Sequence, residues 1–265
     1  VPILADLPLT IILPFFDEAG WIGRTVASLV GQRDQRFRLV LVDNGSTDGS
    51  AAEARVGAAP LGSRATLITC AIPGKTAALA AGSELVETPL VATCDADTYY
   101  PPDYVGRIIA LFAADPIAAA VMAVDLYAPE EDRRSRARIA KVLAKSVRFP
   151  AKCHAGAYAQ AFRTALLRRG GGFDPARWPY VMEDHEIAHR VMRYGPARYD
   201  PAHVCFPSAR RTDPTGVHWT GFERFLYRHL PASRLDWFFY EFLGPRLARR
   251  GAYGPALRHK SWKAQ

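Results

Sequence analysis

The sequence predicts an α/β fold in which a mostly parallel central sheet is flanked by helices. Two observations carry that expectation. Apolar runs of strand length alternate with segments of helical period, and the runs are apolar throughout rather than at every second residue, as strands buried on both faces are. A third observation is size: 265 residues with 49% hydrophobic content can bury one large core, or a core with an appendage.

The first strand is "LTIILPFF" (9–16). The first helix runs through "EAGWIGRTVASLVGQ" (18–32), where Ile22, Val26, Leu29 and Val30 recur at helical spacing. The unit then repeats. "FRLVLVD" (37–43) is a strand, "NGSTDGS" (44–50) is turn chemistry with N-cap residues, and an alanine-rich helix follows. Next come the strand "ATLITC" (65–70), a Pro-Gly break, the helix "KTAALAAGSELV" (75–86), the strand "LVATCD" (90–95) and a helix starting near Pro101 and Pro102.

Beyond residue 115 a strand is expected in "AAAVMAVDLY" (118–127), a basic helix in 130–149 and another strand in "HAGAYAQAF" (154–162). A glycine-rich loop then leads to an acidic cluster and a helix stopped by Gly195-Pro196. No internal repeat or low-complexity linker divides the chain. Right-handed crossovers line up the loops after the strands on one edge, where open α/β sheets bind ligands.

Lys and Arg outnumber Asp and Glu by 34 to 26, a formal charge of +8 that favours anionic partners such as nucleotide phosphates, nucleic acid or an acidic membrane surface. Nucleic acid drops out, because the basic and aromatic residues form no RRM, KH or helix-turn-helix signature. Cys70, Cys94, Cys153 and Cys205 show no CxxC or zinc spacing and read as buried free thiols. No basic leader and no apolar stretch of ~18–20 residues is present, so the expected location is cytoplasmic.

The chemistry centres on "CDADTYYPPDYV". In extended chain, residues two apart share a face, so Asp95 and Asp97 can turn two hard oxygen donors into one cleft, suited to Mg²⁺ or Mn²⁺ when a diphosphate supplies further ligands. The bland alternative is an acidic helix cap. Glycoside hydrolysis fits poorly, since its two carboxylates straddle a bond about 5–9.5 Å apart. On the same edge, Phe16 can stack on a base or pack in the core, and Glu18 can meet a base or ribose. Asp43 can bind a uracil-like ring nitrogen or a ribose hydroxyl, or close an Asx turn. Lys75 at a helix start suits phosphate, though no Walker P-loop is present.

Together "PFFDEAGWIGRTVASLVGQ", "LVLVDNGSTDGS", "PGKTAALAAGSELVETPLVATCDADTYYPPDYV" and "GGFDPARWPYVMEDHEIAHRVMRYG" resemble, in order and spacing, the family 2 glycosyltransferases of GT-A fold, over roughly residues 8–200. The resemblance implies a catalytic domain over 1–205 with a loop and helical extension over 206–265. It also implies a nucleotide-sugar donor, a divalent metal on the DxD pair, and inversion at the anomeric carbon. Carried over by motif, Asp184 is the general base, with Glu183 beside it in the substrate site. Asp97 is the direct metal ligand, and Asp95 serves the metal or the ribose. A helix N-terminus at Asp184 would keep its carboxylate ionised, and helical spacing lets only one or two of residues 183, 184 and 186 face the cleft.

The chain departs from processive relatives in lacking QxxRW, which points to transfer of a single sugar. Arg210, Arg211 and His218 in "PSARRTDPTGVHWTGFERF" (207–225) are candidates for the diphosphate, and His218 also for the metal; a basic surface loop is the alternative. The aromatic and arginine-rich tail fits interfacial helices on an anionic leaflet at the inner face of a membrane, and equally a helical cap over the sheet or a dimer surface. A lipid or lipid-linked glycan acceptor would suit the first. The competing classes are a sugar nucleotidyltransferase, whose basic glycine-rich first loop is missing, and a non-catalytic nucleotide or anion binder.

Overall fold

The computed structural model describes residues 7–208 and 219–255. Its first strands, β1 (Leu9–Phe15), β2 (Phe37–Asp43), β3 (Ala65–Thr69) and β4 (Leu90–Thr93), pair in parallel in the order β3-β2-β1-β4. β1 is buried along its whole length, as its unbroken apolar run requires. Three helices cross over between these strands: α1 (Ile22–Val30), α2 (Ser50–Ala58) and α3 (Lys75–Ser83). α1 buries Ile22, Thr25, Val26 and Leu29, one face of a helix. It starts later than the expected residue 18, because Asp17 adopts a left-handed φ of 50° and the Glu18 carbonyl accepts the N–H groups of both Trp21 and Ile22. α3 lies so close to the sheet that a Cβ on Gly82 would stand 2.5 Å from Ile12 Cγ2 and 3.0 Å from Val42 Cγ2.

The sheet continues with β5 (Thr98–Tyr99), α4 (Tyr104–Ala114), β6 (Ala120–Asp125), α5 (Arg133–Arg148), β7 (Gln160–Arg163), α6 (Thr164–Arg169), α7 (Glu183–Met192) and β8 (Ala197–Pro207). The full order is β3-β2-β1-β4-β7-β6-β8-β5. β7 runs antiparallel between β4 and β6, and β8 is parallel to β6. α5 is capped by Asp132, whose Oδ1 accepts the Arg134 N–H at 2.6 Å.

β5 and β8 are the strands that the sequence reading lacks. β8 has no clean apolar run because its register on β6 slips: Tyr199 pairs with Met122, but Val204 pairs with Val124. Asp200 and Pro201 thus fall in an irregular stretch where a proline costs no ladder bond. The strand also runs two residues past the expected segment boundary at 205.

After residue 218 the chain forms α8 (Gly221–His229), a π-helical turn over Trp237–Leu243, and α9 (Gly244–Arg249). A Thr220–Glu223 capping box opens α8. Trp178, Val181, Tyr227, Leu235, Phe238, Phe239, Leu243, Leu247 and Ala252 form a second apolar cluster, separate from the sheet core. The extension is therefore a helical cap behind the start of α7. Phe222 and Phe225 remain 61% and 58% exposed on it. All four cysteines are buried and free. Among the described residues no helix is long and apolar enough to cross a membrane.

Candidate active site

The pairing pattern gathers the C-terminal ends of β1, β2, β3, β4, β6 and β8, with the N-terminal end of β7, along one edge of the sheet. Phe16, Glu18, Asp43, Lys75, Asp95 and Asp97 lie on this edge or on the loops that leave it. Asp43 ends β2, and its Oδ1 accepts the Ser46 N–H at 2.8 Å, a local turn bond. Asn44 ties the next loop to it: its Nδ2 donates to the carbonyls of Cys70 (3.0 Å) and Ile72 (2.7 Å), and its Oδ1 accepts the Gly74 N–H at 2.8 Å. Gly74 has φ 120°, which a side chain would resist, and the turn it allows delivers Lys75 to the start of α3. Lys75 Nζ pairs with Asp95 Oδ1.

Asp95 and Asp97 are 6% and 7% exposed. The loop that carries them is held from three sides. The Asp95 N–H donates to Tyr100 Oη at 2.9 Å, and that hydroxyl donates to the Tyr158 carbonyl at 3.0 Å. Thr25 Oγ1 donates to the Ala96 carbonyl at 2.8 Å. Ser208, just past β8, donates its N–H to the Asp97 carbonyl (3.0 Å) and its Oγ–H to Asp97 Oδ2 (2.9 Å). Phe16 is half-buried, and Glu18 is buried with its N–H donating to Ser50 Oγ at 2.6 Å.

Facing this edge is the first turn of α7. Asp184 Oδ1 accepts both the His185 N–H (2.8 Å) and a bond with His185 Nδ1 (2.9 Å). Gln160, at the start of β7, donates Nε2 to the Asp184 carbonyl at 3.1 Å and so ties the helix to the sheet. Glu186 instead turns inward onto Arg190 (2.7 and 3.0 Å), in keeping with the helical spacing.

The electrostatics divide the acids. For Glu183, burial first and then the Asp184 charge push the pKa up to about 7, against the pull of Lys75. For Asp184, burial acts upward, but the charge and hydrogen bond of His185, with Lys75 behind, outweigh it and hold the carboxyl below its usual value. For His185 burial acts downward, and the Asp184 charge and hydrogen bond more than reverse it. Lys75 acts on both acids, and Asp95 acts on Glu183, so α7 and the strand edge form one charged site.

Asp184 also lines a cavity of about 580 Å³, bounded by α5, residues 153–158, the start of α7 and α8. Met182, immediately before α7, is left-handed (φ 67°). Among the described residues only it and Asp17 are non-glycines of positive φ, and both adjoin the site, as local strain held by a functional cleft does.

Among the described residues no three His, Cys, Asp or Glu side chains converge as a complete metal site. Asp95 and Asp97 offer two hard oxygen donors, which fit Mg²⁺ or Mn²⁺ if a diphosphate supplies other ligands. Arg210, Arg211 and His218 lie outside the described residues. Sequence reasoning missed Tyr100, Ser208 and Gln160. Only Gln160 carried a local signal, as a lone amide in an apolar strand, where a buried polar group must find partners.

Comparison with known proteins agrees with this fold. The family model described as glycosyl transferase family 2 matches residues 10–171. An undecaprenyl-phosphate 4-deoxy-4-formamido-L-arabinose transferase of Aeromonas hydrophila is 26% identical over 170 residues, 60% of this chain and 50% of its own length. One of the same name from Sodalis glossinidius is 33% identical over 112 residues, 40% of this chain and 34% of its own length. The chain thus matches half or less of these relatives. Among solved structures, the mannosyltransferase PcManGT of Pyrobaculum calidifontis, in complex with GDP-Man and Mn²⁺, superposes with a TM-score of 0.62 at 23% identity, covering 96% of this chain and 70% of that one. S. aureus TarS 1-349 in complex with UDP-GlcNAc gives 0.61 at 15% identity, covering 97% and 77%. These likenesses show a shared fold, and with the match over 10–171 they place the chain in glycosyl transferase family 2.

Proposed function

We propose that the chain is a glycosyltransferase that moves one sugar from a nucleotide-sugar donor, UDP-sugars favoured, to an acceptor hydroxyl by single displacement with inversion. The observation that carries this reading is the arrangement at α7: Asp184 lines an open cavity while the same turn feels the charges of Lys75 and Asp95 on the sheet edge. A donor on the edge and an acceptor in the cavity would meet at that turn.

Asp184 is the general base. It is held ionised, and its link to His185 fixes its orientation. Lys75 offers positive charge to the donor phosphates. Phe16, Glu18 and Asp43 hold the base and ribose; Glu183 shapes the sugar side. Asp97, with Asp95, is the residue pair for Mg²⁺ or Mn²⁺. When bound, such an ion would neutralise charge on the departing diphosphate.

The names of the relatives and the exposed aromatics of α8 support a lipid or lipid-linked acceptor, with the extension resting on an anionic membrane face. Arg211 and His218 keep their assignments to the diphosphate and the metal as part of this proposal. The test is thermal stabilisation of the chain by UDP-, GDP- and dTDP-sugars with and without Mn²⁺, followed by release of nucleotide from the stabilising donor. A UDP-sugar shift that grows with Mn²⁺ is expected; no shift with any of them would overturn the reading.

A further inference from the structure

The cavity beside Asp184 is strongly one-signed. Arg138 and Lys145 reach it from α5, seven residues apart and so on one helix face, and Arg224 and Arg228 reach it from α8, one turn apart. The carboxylates among its lining are Asp125 and Asp184, and each is engaged: Asp125 by Arg138, Asp184 by His185. Lys145, Arg224 and Arg228 form no ion pair among the described residues. Arg138 Nε is buried with no hydrogen-bond partner there. Burial lowers the Lys145 pKa, and the charges of Lys141, Arg228, Arg138 and Arg224 lower it further, so these cations repel one another. A cavity of this size walled by four cations, three of them without an ion pair among the described residues, is completed by an anion with several oxygens, which guanidinium forks bind well.

We infer that this cavity is a binding subsite for a phosphate ester carried by the acceptor, with Arg138, Lys145, Arg224 and Arg228 as the residues that select it. The inference rests on reading the cavity as the acceptor side of the proposed transferase. It adds the chemical class of acceptor and the residues that recognise it. The phosphate belongs either to a soluble ester or to a lipid headgroup.

The test titrates the full chain with butyl phosphate, and separately measures retention on phosphatidylcholine vesicles with and without phosphatidic acid. Wild type is compared with Lys145→Ala, with the double variant Arg224→Ala/Arg228→Ala, and with Arg228→Glu. Arg224 is exposed and Lys145 and Arg228 are half-buried, so the fold should survive, which circular dichroism checks. Butyl phosphate binding should weaken about tenfold for each charge removed, and Arg228→Glu should abolish it, while UDP binding stays unchanged. Loss of phosphatidic acid retention in the same variants assigns the phosphate to a lipid; loss for butyl phosphate alone assigns it to a soluble ester. Butyl phosphate binding that is absent in wild type or equal in every variant overturns the inference, whatever the vesicles do. If phosphate binds as described and no nucleotide does, the subsite stands and the transferase reading fails.

Discussion

The sheet edge and the cavity meet at one helix turn, yet they are built from different material. Asp43, Lys75, Asp95 and Asp97 stand on loops that leave successive parallel strands; turn bonds and the Lys75–Asp95 pair fix the first three, and Ser208 just past β8 holds Asp97. The cavity is walled by side chains from five distant stretches, with Tyr227 Oη accepting the Cys153 N–H (2.9 Å) across the gap between cap and core. Strand ends place groups by register, whereas the cavity places them by packing. The edge should therefore be sensitive to single polar atoms and the cavity to net charge and aromatic fit.

The largest expected effect falls where the two halves touch. Asp184→Asn should lower sugar transfer about 10²–10⁴-fold, the range for loss of a general base. Donor-induced thermal stabilisation should be retained. Near-normal transfer by a folded Asp184→Asn protein would move the base elsewhere, with Glu183 next in line.

Acid should act on stability through the sheet side. His203 is buried, packs on Tyr104 with ring centroids 4.8 Å apart, and has no partner for either nitrogen among the described residues; burial and then the Arg107 charge hold its pKa down at about 3. The unfolded chain, with histidine near 6.5, thus takes up a proton that the folded one refuses between these values. Stability is full above about pH 6.5 and should fall by up to ~1.4 kcal/mol per pH unit below it. His154, lowered to about 4 chiefly by burial, adds in the same direction. Urea titrations of wild type and His203→Phe from pH 7.5 to 5 check this, and an equal slope in both would remove His203 as the cause.

Gly82→Ala should destabilise by about 1–3 kcal/mol, since the new methyl group would press on Ile12 and Val42 under α3. A lowered urea midpoint with an unchanged slope is the expected readout. The smallest effect is Ser208→Ala. Losing one hydrogen bond to Asp97, about 0.5–1.5 kcal/mol, should weaken apparent Mn²⁺ affinity by roughly 3–10-fold and leave metal-free donor binding intact.

These contrasts also explain what could be read from the sequence. Strands β1 to β4 and the helices between them follow directly from apolar runs and turn residues, and Asp43, Lys75, Asp95 and Asp184 stand near chain features that point to them. The supports of those residues were hidden. Ser208 reaches Asp97 across 111 positions, through a strand whose slipped register breaks the apolar pattern. Tyr100 looks like a turn aromatic and in fact joins the Asp95 N–H to the Tyr158 carbonyl. The basic helix α5 was visible, but its role in the cavity depends on α8 packing opposite, which no local spacing encodes. The tail's composition fits interfacial helices, a helical cap or a dimer surface. Burial of Phe238, Phe239 and Leu243 identifies the cap, and Phe222 and Phe225 stand on its outward face.

The second apolar cluster has a consequence for descent. Trp178, Tyr227, Phe238 and Phe239 form their own nucleus, apart from the residues that hold the sheet together. Substitutions on α8 can accumulate without threatening the strands that carry Asp43, Lys75 and Asp95. A lineage built on this plan is free to change what enters the cavity while inheriting its sheet edge intact, so divergence among its members should concentrate on α8 and the chain beyond it.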